Sequence, residues 1–519
     1  MIYLLPQIIE EAARRHPNKE AFRFRDQSLT YAQLLQRVNQ LANTLIACGV
    51  RRGDRVGIYT PKSLECAVAI FGIMQAGAAY VPLDPTAPVD RVRFMLANCG
   101  IRCLISHAVK RGALRQIGEA GIGLSHVIGM AQQGDLPFAM ISWADIDKMP
   151  DIAPAVTAME QDLAYIIYTS GSTGEPKGIM HTHQSGLSYA RMAADLYGVT
   201  SADRLSNFPP LHFDQSTFDY FSGPLMGSTT VIIPDEVRML PASLTQLVQD
   251  ERLTIWYSVP FALIQMLLRG AMAQRDLNSL RWVIYGGEPF PHKHLQALMD
   301  RLPHARFSNN YGPAEVNQCS YFNMPPLPAA KEGALPIGRI CANMEGLVLD
   351  ENEQPLPPGE VGELAVRTPT MMQGYWARPD LNAKAFYWRS KDGGGLDRFY
   401  RTGDLVQQRA DGNYLFLGRK DRQIKVRGYR IELDEVEAAI LTHANVEETA
   451  VFPVANDDGE TSLKAMLILK NGSQFNKTDL LRHLVERLPR YALPSQIDIV
   501  SDFPRTTSGK IDRRALQNM

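Results

Sequence analysis

The eleven residues Tyr168-Thr169-Ser170-Gly171-Ser172-Thr173-Gly174-Glu175-Pro176-Lys177-Gly178 constrain the fold more than any other stretch of the chain. They follow Leu163-Ala164-Tyr165-Ile166-Ile167, which together with Tyr168 is short, apolar and β-prone and reads as a buried strand. A core strand that breaks abruptly into Gly, Ser and Thr exposes backbone N–H groups and hydroxyls with little Cβ bulk, which suits a polyphosphate. Lys177 adds a mobile positive charge. The spacing is not a Walker A loop, since no Gly-Lys-Ser/Thr follows four residues after a glycine. With glycines at 171, 174 and 178 it is not GxGxxG either. A plain Ser/Gly hairpin is the alternative, and the strand before the loop speaks against it.

Length and composition narrow the class. At 519 residues the chain exceeds one ordinary domain, and 45% hydrophobic with 21% charged residues is the make-up of a globular protein with a large core. Lys+Arg 54 against Asp+Glu 55 leaves a net charge of −1, so no general pull toward nucleic acid or anionic membrane follows. The six cysteines show no CxxC spacing, and Cys99 and Cys103 have no companion pair, which fits free thiols in a reducing compartment better than zinc. The start, Met1 to Pro6, lacks a signal-peptide core, and the most apolar run, Cys66 to Pro82, is interrupted by Gln75 and Gly77. A cytoplasmic location without membrane insertion is expected.

The N-terminal part alternates strand and helix patterns. Thr30-Tyr31-Ala32-Gln33 is a capping box opening a helix with Leu34, Val38, Leu41 and Leu45 on one face, ended by Gly49. Arg55–Tyr59, Tyr80–Leu83, Thr229–Ile233, Thr254–Ser258 and Arg281–Tyr285 read as strands, with helices at Ser63–Gln75, Leu240–Glu251 and Phe261–Arg269 between them. This rhythm predicts parallel sheets covered by helices, an α/β class. From about 337 to 417 the chain turns β-rich and Gly/Pro-punctuated, predicting a smaller β subdomain. The charged turn Gly418-Arg419-Lys420-Asp421 marks a boundary. Beyond it, helices at Asp434–Thr442 and Lys477–Leu488 and strands at Ala450–Val454 and Leu463–Leu469 suffice for a small α+β lid.

Three further strings carry chemistry: Asn309-Asn310-Tyr311-Gly312-Pro313-Ala314-Glu315, Tyr400-Arg401-Thr402-Gly403-Asp404-Leu405, and Arg505-Thr506-Thr507-Ser508-Gly509-Lys510 near the end. Alone, these read as a Gly-Pro turn, a surface acid and a basic tail. With the Gly/Ser/Thr loop they resemble the motifs of the AMP-forming adenylating enzymes, the superfamily of acyl-CoA ligases, luciferases and peptide-synthetase adenylation domains. The resemblance covers essentially the whole chain. It implies an adenylation core over residues 1–417, a hinge at 418–421 pivoting on Asp421, and a mobile lid over 422–519. It also implies ATP with Mg²⁺. Thr169, Ser170, Gly171, Ser172, Thr173, Gly174 and Lys177 would cradle the phosphates. Asn309 would hydrogen-bond the adenine amine, Tyr311 would stack on the ring, and Asn310, Gly312, Pro313 and Ala314 would complete the loop. Glu315 would hold the metal, and Asp404 and Arg419 the ribose. A carboxylate suits a hard cation and an amide offers both donor and acceptor. Where the family has threonine this chain has Ala314, which removes one hydroxyl contact to phosphate. Lys510 matches the catalytic lysine that neutralises the charge gathering as pyrophosphate leaves. The hinge segment from Gly418 to Leu433 is close to the peptide-synthetase form, in which the lid rotates after adenylation and the face at Gly428 admits a pantetheine thiol.

Leu211-His212-Phe213-Asp214-Gln215-Ser216 selects the acid. In amino-acid-activating members a Phe-Asp-x-Ser element sets an Asp against the substrate α-ammonium, whose burial without a partner is costly. Asp214 as an ordinary helix N-cap is the alternative. The resemblance carries the substrate pocket onto Asp214, Gln215, Phe218, Tyr257, Val283, Tyr285, Gly286, Asn310, Gln318, Cys319 and Lys510. Trp256–Pro260 and Cys319 are similar to free-standing amino acid–carrier protein ligases loading proline, alanine or glycine. The polar Gln215, Asn310 and Gln318, with the bulk of Phe218 and Tyr285, favour glycine, alanine of either hand or serine, with proline a further candidate. A separate phosphopantetheinylated carrier protein is the expected acceptor. An acyl- or aryl-CoA ligase and a catalytically silent scaffold are the rivals. His181 and His183 form an H-x-H with no third ligand nearby in sequence and read as structural.

Overall fold

A computed structural model describes every residue except 133, 135, 172–174, 326–334, 392, 456–460, 471, 506–510, 512, 518 and 519. The fold is mixed α/β, built from parallel sheets, a small β-rich subdomain and a C-terminal α+β portion. The described chain divides into two compact units, one made of residues 1–85, 96–168 and 178–420, the other of 86–95, 169–177 and 421–519.

The first unit carries a nine-stranded and an eight-stranded sheet. In the nine-stranded sheet Arg204–Asn207, Ile255–Ser258, Trp282–Gly286 and Arg306–Tyr311 lie side by side and parallel. Short strands of this kind, buried on both faces, read as unbroken apolar runs because helices cover both sides. Pleating sends alternate side chains to opposite faces. Trp282 and Ile284 therefore join Tyr197, Phe218 and Tyr257 in one core, while Val283 and Tyr285 join Trp256, Phe290 and Phe307 in another. In the eight-stranded sheet Arg55–Tyr59 sits between Ala79–Pro82 and Cys103–Ser106. Against it packs the expected helix Tyr31–Ala47, whose Thr30 and Gln33 form a complete capping box.

Residues 345–419 form an antiparallel sheet in which Leu396–Gln408 pairs with Val361–Arg367, Phe386–Ser390 and Tyr414–Arg419. In the second unit Val446–Ala455, Thr461–Leu469 and Gln496–Ile499 form a three-stranded sheet with helices Leu433–Leu441 and Lys477–Val485. The helix Lys477–Val485 ends three residues before the expected Leu488, although Leu488 N still donates to Leu484 O at 2.8 Å; Pro489 keeps helical geometry from passing beyond Leu488. Among the described residues no helix is long and apolar enough to cross a membrane.

Candidate functional site

The carboxyl ends of parallel strands are where α/β sheets bind ligands, and most of the expected residues of the first unit gather there. Arg306–Tyr311 delivers Asn309, Asn310 and Tyr311 in succession. The Tyr311 hydroxyl donates to Asp404 Oδ2, and Arg419 Nη1 donates to Asp404 Oδ1. Asp404 and Arg419 are cross-strand partners, and Arg419 Nη1 also donates to Thr402 O at 3.1 Å. Burial, with the neighbouring Asp404 carboxylate, pushes the Tyr311 phenol well above its ordinary value. Asp404 is only 5% exposed. A carboxylate with several acceptor sites suits a vicinal diol such as ribose, since it can accept from both hydroxyls. Asn309 Nδ2 donates to Pro336 O at 2.9 Å, which turns Oδ1 into the atom able to accept from an exocyclic amine.

Glu315 is fully buried, and its Oε1 accepts from the Tyr375 hydroxyl at 2.8 Å. Among the described residues no group of three or more His, Cys, Asp or Glu could cage a metal. Glu315 is the carboxylate here that could hold Mg²⁺ together with substrate phosphates. The loop bearing Glu315 is fastened from below by His181, whose Nε2–H donates to Ala314 O at 2.9 Å while the ring stacks on Tyr165. Burial lowers the His181 imidazole to about 4, so it is neutral near pH 7. His183 is likewise lowered to about 4 by burial, and Leu5 N donates to its Nδ1 at 3.3 Å.

These two imidazoles set an acid limit on stability. Folding prefers their neutral form, so their contribution is complete above the unfolded value of about 6.5 and drains away as pH falls toward 4. The melting temperature is expected to stay level from pH 8 to about 6.5 and to fall continuously below that. A level profile down to pH 4 would contradict this account.

Gly312 has no room for a side chain, because a Cβ there would lie 2.0 Å from the Asn317 carbonyl oxygen. That carbonyl is backbone and cannot swing aside. Gly312→Ala is therefore expected to cost about 2–4 kcal/mol, read as a lowered melting temperature together with weakened nucleotide binding.

Asp214 and Gln215 occupy a turn between Arg204–Asn207 and the helical turn Phe218–Ser222. The chain turns helical from Ser216, directly after Asp214 and Gln215, and Thr217 N donates to Asp214 O at 2.9 Å. Thr217 Oγ1 donates to Asp214 O at 2.6 Å and in turn accepts from Asn317 Nδ2 at 3.0 Å. Gln215 Nε2 reaches Gly286 O at 3.4 Å. Phe218 meets Tyr257 and Tyr197 edge-on, with ring centroids 5.7 and 5.9 Å apart. Below them Asn310 Nδ2 donates to Gln318 Oε1 at 3.1 Å, Gln318 Nε2 donates to Asn310 Oδ1 at 3.3 Å, and the Tyr197 hydroxyl donates to the same Oδ1. Cys319 is buried, with its N–H on Tyr311 O at 2.9 Å.

Phe218, Tyr257, Asn310 and Gln318 thus share one face of the sheet. The side chains of Val283 and Tyr285 do not join them, contrary to expectation. Tyr257 pairs in register with Ile284, and pleating turns the residues on either side of Ile284 to the opposite face. Tyr285 is 0% exposed, and its ring packs edge-on to Phe290 at 4.9 Å. Of the two bulky rings expected to fill the pocket, only Phe218 stands beside Tyr257 and Asn310.

In the second unit Thr169, Ser170, Gly171 and Lys177, expected to cradle phosphate, are grouped with residues 421–519, and Ser170 Oγ donates to Arg430 O at 2.8 Å. Asp421 Oδ1 accepts from Gln423 N at 3.2 Å. Ser172, Thr173, Gly174 and Lys510 lie outside the described residues. Sequence patterns do not point to Tyr197, His181, Thr217, Asn317 or Tyr375. Each acts through a contact made only in three dimensions, and only the H-x-H spacing gives any signal.

A family model described as AMP-binding enzyme matches residues 9–376, and one described as AMP-binding enzyme C-terminal domain matches 435–510. The chain is 33% identical to an L-proline–[L-prolyl-carrier protein] ligase of Pseudomonas fluorescens, over 99% of this chain and 98% of that protein. It is 34% identical to tyrocidine synthase 3 of Brevibacillus parabrevis over 99% of this chain, which spans 8% of that much longer protein. Among solved structures, a Vibrio cholerae adenylation domain in complex with glycyl-adenosine-5'-phosphate superposes with a TM-score of 0.86 at 23% identity, covering 100% of this chain and 98% of that one. An amide bond synthetase of Marinactinospora thermotolerans superposes with a TM-score of 0.88 at 24% identity and 99% coverage of both chains. At these identities the two structures speak for the fold.

Proposed function

The chain belongs to the AMP-binding enzyme family, and from that premise we propose that it activates a small amino acid with ATP and passes the aminoacyl group to a carrier-protein thiol. The observation that carries the proposal is the Asp214 turn. It holds Asp214 just beyond the carboxyl end of the strand Arg204–Asn207, with its carbonyl braced through Thr217 by Asn317. An acid lacking an ammonium has no use for a carboxylate there, which weighs against an acyl- or aryl-CoA ligase.

In the first half-reaction the substrate carboxylate attacks the α-phosphorus and pyrophosphate departs, leaving an aminoacyl-adenylate. Asp404, Arg419 and Tyr311 hold the ribose and ring, so that reactants are already oriented when the bond forms. Lys510 meets the charge developing on the transferring phosphate, which is worth more in the transition state than before it. Glu315 would hold Mg²⁺ with the substrate phosphates, and the ion would supply further positive charge to the departing pyrophosphate. In the second half-reaction a phosphopantetheine thiol attacks the acyl carbon, forming a thioester and releasing AMP. The hinge at Asp421 would exchange the two arrangements. Glycine, alanine, serine and proline are the substrates proposed. Because the Tyr285 ring packs on the far face of its strand, bulk there no longer argues for the smallest of them.

The test is ATP–pyrophosphate exchange with glycine, both alanine enantiomers, serine and proline beside fatty and aryl acids, followed by thioester formation with a phosphopantetheinylated carrier or with CoA. Exchange with one small amino acid and loading of the carrier is the expected result. Exchange only with acids lacking an amine, ending on CoA, would replace this proposal with its rival.

A further inference from the structure

Lys62 occupies a position no surface turn would demand. It follows the strand Arg55–Tyr59 in the sequence Thr60-Pro61-Lys62-Ser63, yet it is only 7% exposed. Its ammonium crosses from the eight-stranded sheet to the carboxyl end of Arg204–Asn207 in the nine-stranded sheet. There Nζ donates to Asn207 O at 2.6 Å and to Phe208 O at 2.9 Å. Asn207 Nδ2 donates to Asp219 Oδ2 at 3.1 Å, and Asp219 is fully buried in the helical turn Phe218–Ser222. Thr230 Oγ1 closes the arrangement by donating to Asp219 O at 2.8 Å. The remaining charges around Lys62 are Asp235, whose Oδ2 accepts from Lys62 N at 3.4 Å, and Arg238. Burial drives the Lys62 ammonium well below its ordinary value and the Asp219 carboxyl well above.

Taking an ammonium and a carboxyl out of water costs several kcal/mol per ion, and an apolar replacement of similar volume often holds a core better. Stability alone therefore does not explain them. Between the two points they fix lie residues 208–218, the segment that carries Asp214, Gln215 and Phe218. Lys62 holds its first carbonyls and Asp219 holds the turn into which it runs. We propose that Lys62, with Asp219, is a positioning residue of the amino-acid site. The ammonium clamps the carbonyls of Asn207, which ends the strand, and Phe208 after it, and the Asn207–Asp219 bond fixes the other end of the segment, so that the Asp214 carboxylate is presented at one place. This rests on the reading of Asp214 as the partner of the substrate ammonium.

The discriminating measurement is ATP–pyrophosphate exchange by the full chain, titrated separately in ATP and in the amino acid the wild type uses best. Lys62→Met keeps the length and apolar stem but removes the donors. Its KM for the amino acid is expected to rise about tenfold or more while its KM for ATP stays within about twofold, the mark of lost binding on one substrate only. Lys62→Arg, which retains donors, should lie closer to the wild type. Should Lys62→Met fail to fold, Asp219→Asn decides, with an expected rise in amino-acid KM of about three- to tenfold and ATP unaffected. Unchanged amino-acid KM in the folded variants, or equal rises for both substrates, overturns the inference alone. A wild type that exchanges with no amino acid overturns the reading of Asp214, and the inference with it.

Discussion

Asp214→Ala is expected to reduce amino-acid-dependent ATP–pyrophosphate exchange by about two to four orders of magnitude, the penalty of about 3–5 kcal/mol for leaving one charge of a buried pair alone. The substrate brings a fixed ammonium next to the carboxylate that reacts. Once desolvated, that cation needs a fixed anion, and the proposed site offers it Asp214, held by its own backbone through Thr217 Oγ1 at 2.6 Å. Because the brace acts on the carbonyl, truncating the side chain leaves the turn in place. The loss should therefore fall on the amino-acid kcat/KM, with the melting temperature within a few degrees of wild type. Asp214→Asn, which keeps shape but not charge, should recover little. Full activity in Asp214→Ala would make that residue a mere turn-former and sink the amino-acid assignment.

Asp404→Ala should be as damaging by a different route. The variant strips Tyr311 and Arg419 of their shared acceptor, in a place where Asp404 itself is only 5% exposed. Leaving a buried donor without a partner costs about 1–3 kcal/mol, and more when it is charged. Two effects are expected together. The kcat/KM for ATP should drop about a hundredfold or more, and the melting temperature should fall by several degrees. Asp404→Asn separates them, since its amide oxygen can still accept from Arg419 while the anionic grip on a diol is gone. It should fold near the wild-type temperature and still show a KM for ATP raised about tenfold. If both variants bind ATP normally, the ribose is held elsewhere.

The order of residues along the chain is enough for much of this protein. Strands such as Arg55–Tyr59 and Trp282–Gly286 announce themselves as short apolar runs, and the capping box at Thr30 and Gln33 forms as its spacing predicts. Such features depend on neighbours within a few residues, and sequence displays those neighbours directly. The strings Asn309–Glu315 and Tyr400–Leu405 likewise point to the same place, which the structure joins through one carboxylate, Asp404, shared by Tyr311 and Arg419.

What sequence could not decide is which way a side chain faces and what it meets there. Tyr285 reads from sequence as pocket bulk, but the register of its strand against Tyr257 turns it to the other side, and a pleat has no intermediate position. Lys62 stands in a Pro-Lys-Ser stretch whose local pattern gives no sign of burial. Only the meeting of two sheets supplies carbonyls 145 and 146 residues away for its ammonium. His181 and Ala314 are 133 residues apart, and no local pattern pairs an imidazole with a distant carbonyl. Sequence determined the elements and their chemistry because propensity and periodicity are local. Tertiary structure decided which buried charges and hydrogen-bond donors support the site, because a group taken out of water must find its partner wherever the fold provides one.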